Sequence, residues 1–203
     1  MSLQRAKQKF DRATACPTCY RPKESCICDK VKSSATHLRV VILQHPQEQF
    51  KSLNSARLTH LMLKNSNIFV GLSWSSFKKV AGLEEMPSQW GVLYLKPDQA
   101  KVLTPLTVLS PKKALVNNVF NLKGIIALDG SWKQSKALWW RNSWLLKLNR
   151  ISLNPDHPSL RPQVKQAGLS TLEALAFALE HLGEKPEISQ SMREHYKRLI
   201  IGT

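Results

Sequence analysis

The sequence predicts an α/β fold in which a sheet is covered on both faces by helices. Short, near-continuous apolar runs recur at residues 38–43, 67–72, 91–95 and 122–128. A strand that is apolar at successive positions buries both of its faces, as parallel strands do. Between the runs lie segments whose apolar residues recur at helical spacing. The chain of 203 residues has room for one core of ordinary size and a small appendage.

Residues 1–36 are polar, cysteine-bearing and poor in aliphatics, and the composition changes at the first strand, Leu38 to Leu43. The predicted organisation is therefore a small N-terminal module, 1–36, ahead of a main domain, 37–203. Asn54 is placed to cap a helix whose apolar positions are Leu58, Leu61 and Met62, and which ends at Lys64 and Asn65. Strands at 67–72 and 91–95 follow. Residues 98–118 fit either an edge strand or a loop, because Pro105 and Pro111 bracket the Leu/Val segment. The strand at 122–128 runs into a helix opened by Ser131, expected to turn Ala137 and Trp140 inward. A further strand at 150–153 leads into a proline-broken loop, 154–158, and then a basic irregular segment, 160–168. Ser170 with Glu173 forms a capping box for a helix with the apolar stripe Leu172, Leu175, Ala176 and Leu179. The last helix is expected over 189–199.

All four cysteines, Cys16, Cys19, Cys26 and Cys28, fall within one short stretch. The first pair has the C-x2-C knuckle spacing and the second is a tighter C-x-C. Four thiolates suit tetrahedral zinc in a structural site that keeps no open position for a substrate. Disulfides, a redox pair or an iron–sulfur centre are the competing assignments. Lys and Arg number 30 against 14 Asp and Glu, a formal charge of +16 spread along the whole chain. Such a surface attracts polyanions, nucleic acid first among them. The N-terminal residues lack the apolar stretch of a secretory signal, and no apolar run approaches the ~20 residues that cross a bilayer. A cytoplasmic protein with no membrane association is expected, and nothing in the sequence marks an obligate protein partner.

With so few carboxylates, the one at Asp129 stands out, at the mouth of an apolar strand and just ahead of Gly130, Ser131 and Trp132. Ligands of open α/β sheets bind beyond the carboxyl ends of strands. Ser131 with Gln134 already completes an S-x-x-Q capping box, so the helix does not need Asp129 as its cap and the carboxylate is expected to be free. Gly130 allows a ligand close to the backbone, and the first-turn N–H groups behind Ser131 can receive an anion.

The run Asp129-Gly130-Ser131-Trp132 resembles the D-x-T-W signature of the DTW-domain family, the tRNA-uridine aminocarboxypropyltransferases, with Ser131 where threonine is usual. The resemblance extends in order along nearly the whole chain. It includes the cysteine cluster, His45-Pro46-x-Glu48, Asn54-Ser55-Ala56-Arg57-Leu58, the Val92-Leu93-Tyr94 strand, Arg161, and Leu169-Ser170-Thr171-x-Glu173-Ala174. Asp156-x-Pro158 ahead of Arg161 departs from the serine and tyrosine usual there.

The resemblance implies a SPOUT-like fold with a C-terminal trefoil knot, and an enzyme that takes S-adenosylmethionine (SAM) as co-substrate. It would move the 3-amino-3-carboxypropyl group to N3 of a tRNA uridine and release methylthioadenosine. Asp129 would be the general base, in surroundings that raise its pKa. Leu128, Gly130, Ser131, Trp132, Leu169, Ser170 and Thr171 would line the cofactor pocket. Arg57, Lys133, Lys136 and Arg161 would meet RNA or the transferred carboxylate, within a basic surface that also draws on Arg21, Lys23, Arg141, Lys147 and Arg150 and is interleaved with Trp139, Trp140 and Trp144. Adjacent indoles on one helix cannot all face inward, so at least one should be partly exposed. A SPOUT-type RNA methyltransferase and a non-catalytic zinc-stabilised RNA-binding protein are the alternative readings.

Overall fold

The computed structural model describes residues 13–51, 53–93, 104–160 and 168–201. The expected positions Arg161, Tyr94 and Leu95 lie outside the described residues. Six strands form one sheet: β1 (Arg39–Gln44), β2 (Ser66–Val70), β3 (Trp90–Leu93), β4 (Leu106–Leu109), β5 (Gly124–Asp129) and β6 (Asn149–Leu153). Their order is β2-β1-β5-β3-β6-β4. Every pairing is parallel except that of β4 with β6.

Side-chain alternation along the strands builds two apolar layers. Val40, Ile42, Ile125 and Ala127 point to one face, where they meet α1 (Ser55–Met62), α4 (Thr171–His181) and α5 (Pro186–Ile201). Val41, Leu43, Ile126 and Leu128 point to the other face, toward α2 (Lys78–Ala81) and α3 (Trp132–Arg141). Burial on both faces is why these strands read as unbroken apolar runs. β2 departs from that reading, since Asn67 and Val70 are exposed, as an edge strand permits. The ambiguous 98–118 region supplies the other edge, the antiparallel β4. α5 starts at Pro186, ahead of the expected Ser189, because proline at a first helical position lacks only an N–H that would be unbonded there anyway.

The inward face of α3 differs from expectation. Ser135, Leu138 and Trp139 are buried and Trp140 is 74 % exposed, while Ala137 is only half-buried. The helix is pinned at both ends by polar anchors on that same stripe. The Ser135 hydroxyl donates to the carbonyl of Gly130 at 3.2 Å. Asn142 donates to the carbonyl of Leu72 at 3.1 Å and accepts from the backbone N–H of Trp74 at 2.8 Å. These contacts fix the rotation, so Leu138 and Trp139 go inward and the basic face stays outside. Trp144 is buried, and Trp140 is the exposed indole that crowding demanded.

The cysteine-bearing segment rests on the α1/α4/α5 side. Ile27 and Val31 pack against that layer, Ser34 N–H donates to Met62 O at 2.8 Å, and the carbonyl of Lys30 bonds His195 Nε2 at 2.9 Å.

Gly124 opens β5 against the ring of Trp90, where an added Cβ would fall 2.6 Å from ring carbons. Gly124→Ala is expected to destabilise the protein by about 1–3 kcal/mol. The check is thermal unfolding, with a loss of about 2–4 °C in Tm per kcal/mol.

Candidate active site

The sheet order locates a crevice. From β1 the chain goes to β2 on one side and then to β3 on the other, with β5 inserted between β1 and β3. Departures to opposite sides make the carboxyl ends of β1 and β5 a switch point, where α/β sheets leave an opening. Gln44 ends β1 and Asp129 ends β5, and they are register partners on the face that meets α4.

Asp129 is 7 % exposed. Its Oδ2 accepts a hydrogen bond from Gln44 Nε2 at 2.8 Å, and its Oδ1 accepts one from the Thr171 hydroxyl at 2.6 Å. The expectation of a free carboxylate is thus corrected. Spared from capping, the group is instead held by two side chains, because a buried carboxylate without donors would be very unfavourable. Each carboxylate oxygen offers two acceptor sites, so one on each remains for another partner. Burial pushes the Asp129 carboxyl above the usual range; the bonds from Thr171 and Gln44 and the charge of Lys51 oppose this, and Glu48 adds to it.

The surrounding backbone is fixed by polar ties. Ser131 N–H donates to Gln134 Oε1 at 2.6 Å in the capping box that sequence predicts. Gln134 Nε2 donates to Gln47 Oε1 at 2.9 Å, joining the start of α3 to the turn after β1. A Cβ on Gly130 would sit 2.8 Å from that of Gln134. The Leu128 side chain belongs to the core, leaving only its backbone to a ligand. Trp132 is 45 % exposed, and Lys133 and Lys136 lie on the open face of α3. Across the crevice Ser170 caps α4, accepting from Glu173 N–H at 3.3 Å. Buried Glu173 also accepts from the Ser159 hydroxyl and Leu160 N–H, at 2.7 and 2.6 Å, and so holds the loop after β6 against α4.

Arg57 is engaged by the cysteine segment: its Nε donates to the carbonyl of Thr18 and its guanidinium lies 4.3 Å above the ring of Tyr20. The reading of Arg57 as an RNA contact misses this tie, which sequence separation hides. Arg21 Nε donates to Ser25 O within the cysteine segment. Sequence reasoning also passed over Gln44. Its signal is a polar residue ending an apolar strand, the same signal that marks Asp129.

The four cysteine sulfurs lie within 4.8 Å of one another, with Cys16 to Cys28 and Cys19 to Cys26 each at 3.8 Å. All are unpaired thiols. Sulfurs bound tetrahedrally at about 2.3 Å stand about 3.8 Å apart, so the cluster fits a four-coordinate metal ion. The backbone N–H of Cys19 leads in pulling the Cys16 thiol down to about 6, whereas burial pushes the Cys28 thiol up.

The DTW domain model matches residues 13–201, and the chain belongs to that family. Among characterised proteins it is 28 % identical over 189 residues to tRNA-uridine aminocarboxypropyltransferase 2 of Drosophila melanogaster, covering 90 % of this chain and 72 % of that protein. The proteins of the same name from Macaca fascicularis and Mus musculus are 27 % and 28 % identical over 89 % and 90 % of this chain. The chain spans 60 % and 61 % of their lengths. No solved structure matches significantly. Among the described residues, no helix is long and apolar enough to cross a membrane.

A folded-state carboxyl pKa above the unfolded value near 3.9 stabilises the fold fully only below that value, and the contribution fades as pH rises through the folded one. Asp129→Asn removes this dependence while keeping the shape. The variant should gain stability relative to the parent as pH rises from about 4 to 8, measured by denaturant unfolding across pH. Metal analysis of the purified protein should find about one ion per chain, and Cys19→Ser should abolish it, since a site with three thiolates binds far more weakly.

Proposed function

We propose that the chain is a tRNA-uridine aminocarboxypropyltransferase that moves the 3-amino-3-carboxypropyl group of SAM to N3 of a uridine and releases methylthioadenosine. The observation that carries the reading is a buried acid with spare acceptor sites at the sheet's switch point, in a chain of the DTW family. The starts of α3 and α4 meet at Asp129, and the first turn of α3, where Trp132 and Lys133 are exposed, suits the carboxylate of such a donor. The sulfonium supplies an already activated carbon.

The rest falls to the protein. Uridine N3 is a poor nucleophile until its proton leaves, and Asp129, made more basic by burial, accepts it as the N3–carbon bond forms and the carbon–sulfur bond breaks. Gly130, Ser131, Trp132 and the backbone of Leu128 form one wall of the donor pocket, and Leu169, Ser170 and Thr171 the other. Alignment of the reacting atoms in a water-poor crevice contributes the larger share of the acceleration. Lys133 and Lys136 neutralise tRNA phosphates beside the crevice, and Arg161 pairs with a phosphate or with the transferred carboxylate. Zinc in the four-cysteine site stabilises the 1–36 module against the 37–203 domain, and Arg57 holds the two together. A SPOUT-like knotted topology belongs to the same reading, in keeping with Thr171, which follows β6 in sequence, bonding Asp129 at the end of β5. A cytoplasmic site of action follows from a tRNA substrate.

The test supplies tRNA with SAM labelled either in the carboxyl or in the methyl group. Carboxyl label should enter RNA and methyl label should not. The reverse would make the protein a methyltransferase, and binding with neither label would make it an RNA-binding protein. Asp129→Asn should lower transfer by about 10²–10⁴-fold while leaving tRNA affinity nearly unchanged.

A further inference from the structure

Asp129 is held by two side chains, and they differ in how firmly they can aim it. The Thr171 hydroxyl rotates and can donate or accept. The Gln44 amide has no such choice, and the reason lies ten residues along the chain, at Asn54. Asn54 Nδ2 donates to the carbonyl oxygens of Glu48 and Gln49, at 3.0 and 2.9 Å. Carbonyls only accept, so Asn54 must turn its Oδ1 the other way, where it receives the backbone N–H of Arg57 at 2.8 Å and Gln44 Nε2 at 3.1 Å. With one Gln44 proton committed to Asn54 Oδ1, the other points at Asp129 Oδ2, 2.8 Å away. Reversing the Gln44 amide would set its oxygen against two acceptors. Gln44 is 2 % exposed, so water cannot take over either bond.

We propose that Gln44 is a positioning residue for the transfer reaction, an amide locked by Asn54 that aims the Asp129 carboxylate and keeps it there. The inference rests on the base role given to Asp129 above. Among the described residues, the charged and titratable groups facing Asp129 are Glu48 and Lys51, which pair with each other in the turn after β1, and His45, whose backbone N–H donates to the Asp129 carbonyl at 2.9 Å. From α4 comes the neutral Thr171 hydroxyl. Among the described residues, Gln44 is therefore the donor to this carboxylate that is both neutral and unable to turn away.

The experiment has two arms on the whole 203-residue chain. In the first, the pH–rate profile of aminocarboxypropyl transfer to tRNA is recorded for the parent, Gln44→Leu and the isosteric Gln44→Glu. Losing a hydrogen bond to a charged group should cost about 10- to 100-fold in kcat at neutral pH. KM for tRNA should stay nearly unchanged, and the acidic limb should move to higher pH. Both variants should be impaired, since leucine removes the donor and glutamate keeps the shape but sets a second acid beside Asp129 that competes for its proton. In the second arm, denaturant unfolding across pH compares Gln44→Leu, Asp129→Asn and the pair combined. The two substitutions should interact at neutral pH, and the interaction should shrink in acid as the carboxyl is protonated. Gln44→Met replaces Gln44→Leu if the latter does not fold.

Wild-type rates in Gln44→Glu, or additive effects at every pH, would reduce Gln44 to a packing role and overturn the proposal. Failure of the parent to transfer carboxyl label would overturn the base role of Asp129 instead. The unfolding arm then still decides whether Gln44 holds the carboxylate.

Discussion

The parallel register between β1 and β5 is the constraint on which the rest of the site depends. Pairing Arg39 with Gly124 at one end brings Gln44 opposite Asp129 at the other, on the same face of the sheet. A slip of one residue would turn one of the two to the opposite face and leave a buried carboxylate facing aliphatic carbon. Register is protected by the apolar alternation behind it, since Val40 and Ile42 must share a layer with Ile125 and Ala127. Core packing and the placement of the acid are thus one requirement, met by the same six-residue ladder.

The helical layer is arranged around that pair. α1 begins where Asn54 caps it, and the same Asn54 oxygen receives Gln44. α4 begins at Thr171, whose hydroxyl bonds the other carboxylate oxygen. α3 begins just beyond Gly130, tied by Gln134 to the turn after β1. Three helix starts therefore converge on the ends of two strands. Their polar side chains both finish the helices and furnish the crevice, which explains why a basic, tryptophan-rich chain places so much amide and hydroxyl chemistry in one spot.

Much of this was legible in the sequence. Apolar runs predicted the buried strands because both faces of β1 and β5 are covered, and the capping boxes at Ser131 and Ser170 marked two helix starts because those rules are local. The reading failed where a distant partner decides. Trp140 and Ala137 were expected inside α3, but Asn142 anchors the end of the helix to Leu72 and Trp74, far along the chain, while Ser135 ties its start to nearby Gly130. Asp129 was expected to be unbonded because its partners, Gln44 and Thr171, arrive by strand register and by a crossover, neither of which has a local signature. Arg57 was read as meeting RNA or the transferred carboxylate, and its contacts with Thr18 and Tyr20 went unseen because they exist only once the cysteine segment folds back.

The position of β5 has a consequence for how the chain is built. β1 and β3 are made first and flank a gap in the finished sheet, so neither has its inner neighbour until Gly124–Asp129 has been synthesised. During that interval two parallel strands of high β-propensity carry unpaired edges, the condition under which nascent chains self-associate. Insertion of a late strand between two early ones is a long-range closure, which slows folding relative to neighbour-by-neighbour assembly. A nascent chain of this protein therefore passes through an adhesive stage just before Asp129 leaves the ribosome.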